Sequence, residues 1–262
     1  MNFIQKINFY FKTFGFTPKK FYYSLKGIPS FFRDYRKFKK LLSKENSEFE
    51  ITNFYPCPDD RFDYAGTLLG HYFHQDIFVA NRIWKNNPQK HIDIGSRLDG
   101  FVAHLAAFRE VEVFDIRNLS VNIFNVKFVQ ADLMSENFSL IDYCDSVSCL
   151  HVIEHFGLGR YNDPIDVNGH IKGFNNINKL LKRGGKFYFS TPIGKQRIEF
   201  DAHRVFSLSY LLKMIEPKYK IDSFAYIDDA DVLHTDIQLK EEDIKNSFNC
   251  NFGCAIFELT KI

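Results

Sequence analysis

The sequence predicts an α/β fold: a doubly wound, mostly parallel seven-stranded sheet preceded by an N-terminal helical extension. Three observations carry that expectation. Short apolar runs alternate with helical patterns from about residue 91 onward, and strands separated by helices at this spacing pair in parallel. The composition, 45% hydrophobic and 25% charged over 262 residues, suits one full α/β domain with an appendage. Acidic residues stand at the ends of three successive apolar runs, and open α/β sheets bind ligands at the carboxyl ends of their strands.

Two segments are expected, a basic aromatic helical extension and linker over residues 1–64 and the main domain over residues 65–262. Within residues 1–44 the lysines and arginines from Lys6 to Lys44 face one acid, Asp34, and phenylalanines from Phe3 to Phe38 are interleaved among them. A broken helix of this kind suits packing on the core, packing on a second subunit of a homodimer, or peripheral contact with an anionic membrane surface. The lack of a clean single-face stripe favours packing. Glu45 to Asp63, with Pro56 and Pro58, reads as a linker or edge loop.

Thr67 to Trp84 then runs helix-like, and its polar-aromatic cluster Gly70 to Asp76 is a candidate to face a ligand. Strands are expected at His91–Ile94, Val111–Ile116, Val126–Val129, Ile141–Leu150, Gly185–Ser190, Lys220–Ile227 and Cys254–Leu259. Helical patterns fill the gaps from Phe101 to Phe108, up to about Leu181, and from Leu208 to Ile215 behind an N-cap at Ser207.

Several classes are disfavoured. The five cysteines are odd in number and lack C-x-x-C spacing, so neither a disulfide framework nor a zinc site is suggested. A net charge of +2 gives no bias toward nucleic acid. Lysines at 6, 12, 19 and 20 interrupt any signal peptide, and no stretch approaches the roughly 20 apolar residues of a spanning helix, so a cytoplasmic location is expected.

The chemistry concentrates in strand-end residues. Asp93-Ile94-Gly95-Ser96-Arg97-Leu98-Asp99-Gly100 places an acid and a glycine turn before a helix, which lets the backbone approach a nucleotide-like ligand. Asp115, about 20 residues later, is placed to accept ribose hydroxyls. Asp132 is placed for an adenine amino group, with Ala131 and Leu133 flanking the ring. The other reading is that Asp115 and Asp132 only cap turns. Pyrophosphate would call for a full G-x-G-x-x-G, which the chain lacks.

This arrangement resembles the class I methyltransferases that use S-adenosylmethionine, although Arg97 and Asp99 stand where their second and third motif glycines occur. Gly184 to Ser190 resembles the fifth strand of that fold. The runs 70–76, 93–104, 150–161 and 202–206 are similar to a bacterial methyltransferase-like group catalogued as a domain of unknown function, covering about residues 65 to 235. Its members accompany surface-polysaccharide genes, which implies a sugar or sugar-nucleotide acceptor. Glu154 to Gly157 is also locally similar to the cyclopropane-forming lipid methyltransferases.

The resemblance implies that Tyr72, Gln75, Asp93, Gly95, Ser96, Arg97, Asp115, Ile116, Asp132, Leu133 and Leu150 hold S-adenosylmethionine. Arg97 is then a candidate for its carboxylate. Methyl transfer to a hydroxyl needs a base, and a near-neutral imidazole suits that work. His151, Glu154 and His155, at i, i+3 and i+4, together with His203, are the candidates. Arg160, Tyr161, Asp163 and Arg204 are expected on the acceptor side, Arg160 as a bidentate phosphate partner. A divalent metal among His151, His155, His170, Asp163, Asp166 and His203 is the alternative, but no recognised ligand spacing supports it and none is expected.

The leading expectation is therefore an O-methyltransferase acting on a sugar or sugar nucleotide in surface-polysaccharide (capsule or lipopolysaccharide) synthesis. A lipid-modifying enzyme at a membrane, and a non-enzymatic module with a degenerate cofactor pocket, are the competing readings.

Overall fold

A computed structural model of the chain describes residues 9–44, 49–63 and 70–262. Two compact units are present, Met1–Thr67 and Leu68–Ile262. In the first, helix α1 (Pro18–Leu42) starts with proline in its first turn, where a missing N–H costs nothing, and ends on Lys39 and Lys40, which complement the carbonyl end. Gly27 is its one buried residue, because a Cβ there would collide with the Pro58 carbonyl. Tyr23 stacks on Phe62 at 5.1 Å, while Phe21, Tyr22, Leu25, Phe32 and Phe38 are exposed. The expected linker carries a single short turn, Asp60–Phe62, among its described residues.

The second unit opens with α2 (His71–Asn86); the start of the expected helix at Thr67 lies outside the described residues. Strands β1 (His91–Ile94), β2 (Val111–Asp115), β3 (Val126–Gln130), β4 (Cys144–Leu150), β5 (Leu181–Ile193), β8 (Tyr219–Ile227) and β10 (Gly253–Lys261) occupy the seven expected places. A short edge strand, β9 (Leu233–His234), extends the sheet to the order β3-β2-β1-β4-β5-β10-β8-β9. Strands β1 to β5 run parallel, and β10 is antiparallel to both neighbours. A separate hairpin, β6 (Arg197–Glu199) with β7 (His203–Val205), follows β5.

Side chains alternate across the sheet, so each strand feeds two cores. Phe187, Phe189, Phe257 and Leu259 point to one face, where α4 (Gly169–Leu180) supplies Phe174 and Ile177 and α5 (Leu208–Ile215) supplies Leu208, Leu211 and Ile215. Tyr188, Cys254 and Ile256 point to the other, against Val79 and Ile83 of α2 and Leu105 of α3 (Ala103–Ala106). The Ser207 hydroxyl caps α5 by accepting from Tyr210 N at 3.3 Å, as the sequence predicts. Strand β4 begins three residues later than expected, after Asp142 turns the chain at φ 47°. Among the described residues no helix is long and apolar enough to cross a membrane.

Strand β1 lies between β2 and β4, where the order reverses, and this opens a crevice beyond its carboxyl end. A buried polar ladder holds that end together. His91 pairs across to Ser146 and Ser148 at 2.8 and 3.0 Å, and the Ser148 hydroxyl donates to Asp93 at 2.6 Å. Asp93 also accepts from the Ser96 amide and hydroxyl at 3.0 and 2.8 Å. Burial pushes its carboxyl up to about 6, and pushes His91 down to about 3. Asp93→Ala orphans three buried donors, so it is expected to cost about 3 kcal/mol or more. Chemical denaturation that gives a wild-type midpoint would refute this.

Candidate active site

Each strand end from β1 to β4 contributes to one cleft. Gly95 adopts φ 63°, and a Cβ there would sit 2.9 Å from Val152, so the turn after β1 is both left-handed and tightly backed. Its amide donates to the Phe114 carbonyl at 2.8 Å, tying the turn to β2. Ser96, Arg97, Asp115, Ile116, Asp132, Leu133 and Leu150 line the cleft with Gly95, and Tyr72 closes it from α2. Nine of the eleven expected cofactor residues thus converge.

Asp93 and Gln75 do not line it. Asp93 is fully buried and fastens the turn from behind. The Gln75 carbonyl oxygen accepts from Ser190 at 2.5 Å and its amide donates to Asp76 at 3.0 Å, so its polar groups are used inside the fold. Arg97 is paired bidentately with Asp99 at 2.9 and 3.1 Å, both side chains exposed, and its guanidinium lies 5.7 Å from the Tyr72 ring. Asp115 accepts from the Arg117 amide, Nε and Nη2 at 2.8, 3.0 and 2.6 Å. Arg117, which sequence reading missed, also lies over Tyr161 at 4.6 Å.

The histidines differ sharply in state. His151 sits just past β4 at φ 55°, buried, and the following residues form only a short turn, Ile153–His155. Its Nδ1 is 2.8 Å from Glu154 Oε1 and its Nε2 3.1 Å from His71 Nδ1. The other nitrogen of His71 lies 3.1 Å from the Phe252 carbonyl, so it carries the proton. Burial and then His151 push His71 down to about 4, so it is neutral and its Nδ1 can only accept. Both nitrogens of His151 therefore donate, to Glu154 and to His71, and the ring is an imidazolium. Burial opposes that charge, but Cys254 and Glu154 outweigh it and hold His151 well above its ordinary value. Glu154 is held low against its own burial by His151 and His155. A protonated ring with both donors engaged does not serve as a base, which corrects the role the sequence suggests for His151.

His155 is the opposite case. Its Nδ1 donates to the Ala202 carbonyl at 2.6 Å, which leaves Nε2 as a lone pair. Burial keeps its pKa below the ordinary imidazole value, so the ring is neutral. Nε2 stands 4.0 Å from Glu154 Oε1, too far for a hydrogen bond but close enough to favour a charge gained later. His155 borders the first cleft and a second one whose lining includes Arg160, His203, Asp228, Asp229, Asp231 and Asn251. His203 lies across that second cleft, 3.3 Å from Glu199.

The glycine-rich loop after the turn is held by groups expected on the acceptor. Gly157, at φ 79°, sits where a Cβ would strike the Asp166 carbonyl. Asp163 accepts from the amides of Gly157, Tyr161 and Gly159 at 2.8, 3.1 and 3.2 Å, so it closes the loop on itself. Arg204 is buried on β7, and its guanidinium donates to the carbonyls of Phe156, Glu154, Val167 and Asp166 at 2.6 to 3.5 Å. It is a clamp inside the fold, not an exposed substrate contact. Arg160 and Tyr161 do face the cleft, Arg160 donating to Ala202 at 3.0 Å. His170 bonds Tyr210 at 2.8 Å, away from this cluster.

A family model described as Caenorhabditis protein of unknown function, DUF268, matches residues 109–253, more than half of the chain. The chain belongs to that family. The DUF268 match spans the strand ends from β2 to β4, the glycine-rich loop and Arg204, and begins after the Gly95 turn. Its description names Caenorhabditis, which corrects the bacterial grouping that the sequence motifs suggest. No curated protein matches the chain.

Among solved structures, the [4+2]-cyclase SpnF is similar at 12% identity and a TM-score of 0.52, over 76% of this chain and 86% of that one. The 1,6-didemethyltoxoflavin-N1-methyltransferase of Burkholderia thailandensis, crystallised with 1,6-didemethyltoxoflavin and S-adenosylhomocysteine, is similar at 12% identity and a TM-score of 0.50, over 72% and 79%. At such identity the likeness is one of fold, and the fold of this DUF268 chain is the Rossmann-like methyltransferase fold.

Proposed function

We propose that this chain is an S-adenosylmethionine-dependent O-methyltransferase acting on a hydroxyl of a sugar or sugar nucleotide. The observation that carries this reading is one cleft in which Asp115 and Asp132 stand at adjacent strand ends beside the Gly95 turn, with a neutral His155 at its border. The donor set suits an adenosine: Asp115 for ribose hydroxyls, Ile116, Leu133 and Met134 as apolar walls, and Asp132 for an amino group. Asp115 Oδ2 accepts a single bond and keeps a lone pair, and the Arg117 side chain beside it is half exposed. When bound, S-adenosylmethionine supplies an electrophilic methyl group on a sulfonium. The solved methyltransferase of this fold that holds S-adenosylhomocysteine supports the cofactor.

The chain's own part is to receive a hydroxyl proton. His155 Nε2 takes it while Nδ1 stays bonded to Ala202, and Glu154 favours the resulting cation. The aspartates and Arg160 that line the second cleft support a hydroxylated acceptor. The test is calorimetric binding of S-adenosylmethionine, followed by release of S-adenosylhomocysteine with a pool of nucleotide sugars. Absence of both sinks the proposal. If the cofactor binds without turnover, the non-enzymatic reading is favoured.

Asp115→Ala is expected to weaken cofactor binding by about 10- to 100-fold, from the loss of hydrogen bonds to a charged acceptor. Unchanged affinity would move the ribose elsewhere. The second reading is a membrane-bound lipid enzyme, which the exposed Phe21, Tyr22, Phe32 and Phe38 among the lysines of α1 favour. Co-sedimentation with anionic vesicles that disappears without residues 1–44 would support it.

A further inference from the structure

Three buried metal-ligating atoms from distant parts of the chain meet behind the cleft. They are Nδ1 of His71 at the start of α2, Nε2 of His151 beyond β4, and Sγ of Cys254 in β10, all within 4.8 Å of one another. We propose that His71, His151 and Cys254 bind a zinc-class divalent cation. The two ring nitrogens are 3.1 Å apart, near the roughly 3.3 Å that two tetrahedral ligands with bonds of about 2.0 to 2.1 Å require. The sulfur needs about 3.6 Å to each nitrogen in the same geometry, so a shift of at most about 1.2 Å completes the set.

The surroundings have the form of an outer ligand shell. Glu154 accepts from the far nitrogen of His151 at 2.8 Å, and the Phe252 carbonyl accepts from the far nitrogen of His71 at 3.1 Å. Each bond fixes the orientation of its ring, and the two remaining nitrogens face each other at 3.1 Å. Two imidazoles and a thiolate suit zinc, whereas magnesium and calcium prefer oxygen. Charge also closes: a divalent cation is balanced by the Cys254 thiolate and the Glu154 carboxylate, so the buried site is neutral.

Without the ion, the proton between the two rings occupies the same place. Binding releases that proton from His151 Nε2 and a second from Cys254 Sγ, while two metal–nitrogen bonds and one metal–sulfur bond form. Three protein ligands leave a fourth position, and His71 and His151 border the second cleft, where a water or an acceptor hydroxyl can reach it. The inference is independent of the cofactor reading.

Titration of the metal-free full-length chain with zinc, and separately with cobalt, tests it. The expected result is one ion per chain, tetrahedral cobalt absorption with a thiolate charge-transfer band, and loss of that band in Cys254→Ser. Glu154→Ala is expected to weaken zinc by about 10- to 100-fold. X-ray absorption of the zinc-loaded wild type, expected to show nitrogen and sulfur neighbours, keeps the test decisive if Cys254→Ser does not fold. A wild-type chain that takes up no stoichiometric zinc, or whose zinc has no sulfur neighbour, overturns the assignment.

Discussion

His155→Gln is expected to lower kcat for methyl transfer by about 10²- to 10⁴-fold while leaving S-adenosylmethionine affinity within a few-fold. Glutamine fills a similar volume with a polar amide, but neither end of that amide offers a basic lone pair. The loss therefore falls on the step that needs a base. The pH profile separates this role from a packing role. His155 is held below 6.5 by burial, so the deprotonated, active form prevails at neutral pH, and kcat/KM is expected to fall only as pH drops through that lowered pKa. In the variant the acid limb should vanish along with most of the rate. His151→Gln gives the contrast: it removes a cation that donates to Glu154 and His71, so its effect should appear in stability as well as rate. If His155→Gln retains wild-type kcat and its acid limb, His155 is not the base.

Sequence reading located strands through alternation, and it worked where packing is two-sided. Phe187-Tyr188-Phe189 announces a buried strand because each neighbour meets a different core. It also placed Asp115 and Asp132 at strand ends, since that needs only the period of the pattern. What it could not supply was the state of those groups. Asp93 and Asp115 look alike in the sequence, yet one is consumed by Ser96 and Ser148 and the other faces the cleft. The two share a face of the sheet, but Asp93 lies within β1 opposite Ser148 of β4, whereas Asp115 is the last residue of β2 and stands past the end of β1. His151 and His155 are equally plausible bases by spacing, but a partner 80 residues away, His71, donates through one nitrogen and so forces the other to accept. His71 stood inside a run marked for its polar-aromatic character, and no local signal tied it to His151 or to Cys254. Spacing rules for metal sites fail for the same reason, because the three atoms come from residues 71, 151 and 254.

Arg204→Met is expected to destabilise the second unit by about 2 to 4 kcal/mol, a fall in Tm on the order of 10 °C for a unit of this size. Arg204 is 5% exposed and, among the described residues, has no carboxylate partner at salt-bridge distance. Its charge is met by loop carbonyls, with one strong bond to Phe156 at 2.6 Å and three longer ones at 3.3 to 3.5 Å. Methionine fills the space but leaves those carbonyls buried and unmet, and a buried acceptor without a donor costs more than the bond contributed. The loop it clamps runs from Glu154 to Val167 and carries both His155 and Arg160, so activity should fall further than stability alone explains. Arg204→Lys should recover only part, because one ammonium does not span two pairs of carbonyls as a planar guanidinium does. The two accounts of this residue predict opposite patterns. A substrate contact would raise KM at unchanged Tm, whereas a clamp lowers Tm and displaces the base. Thermal unfolding of the methionine and lysine variants beside their KM and kcat decides between them, and a wild-type Tm in Arg204→Met would return the residue to the acceptor site.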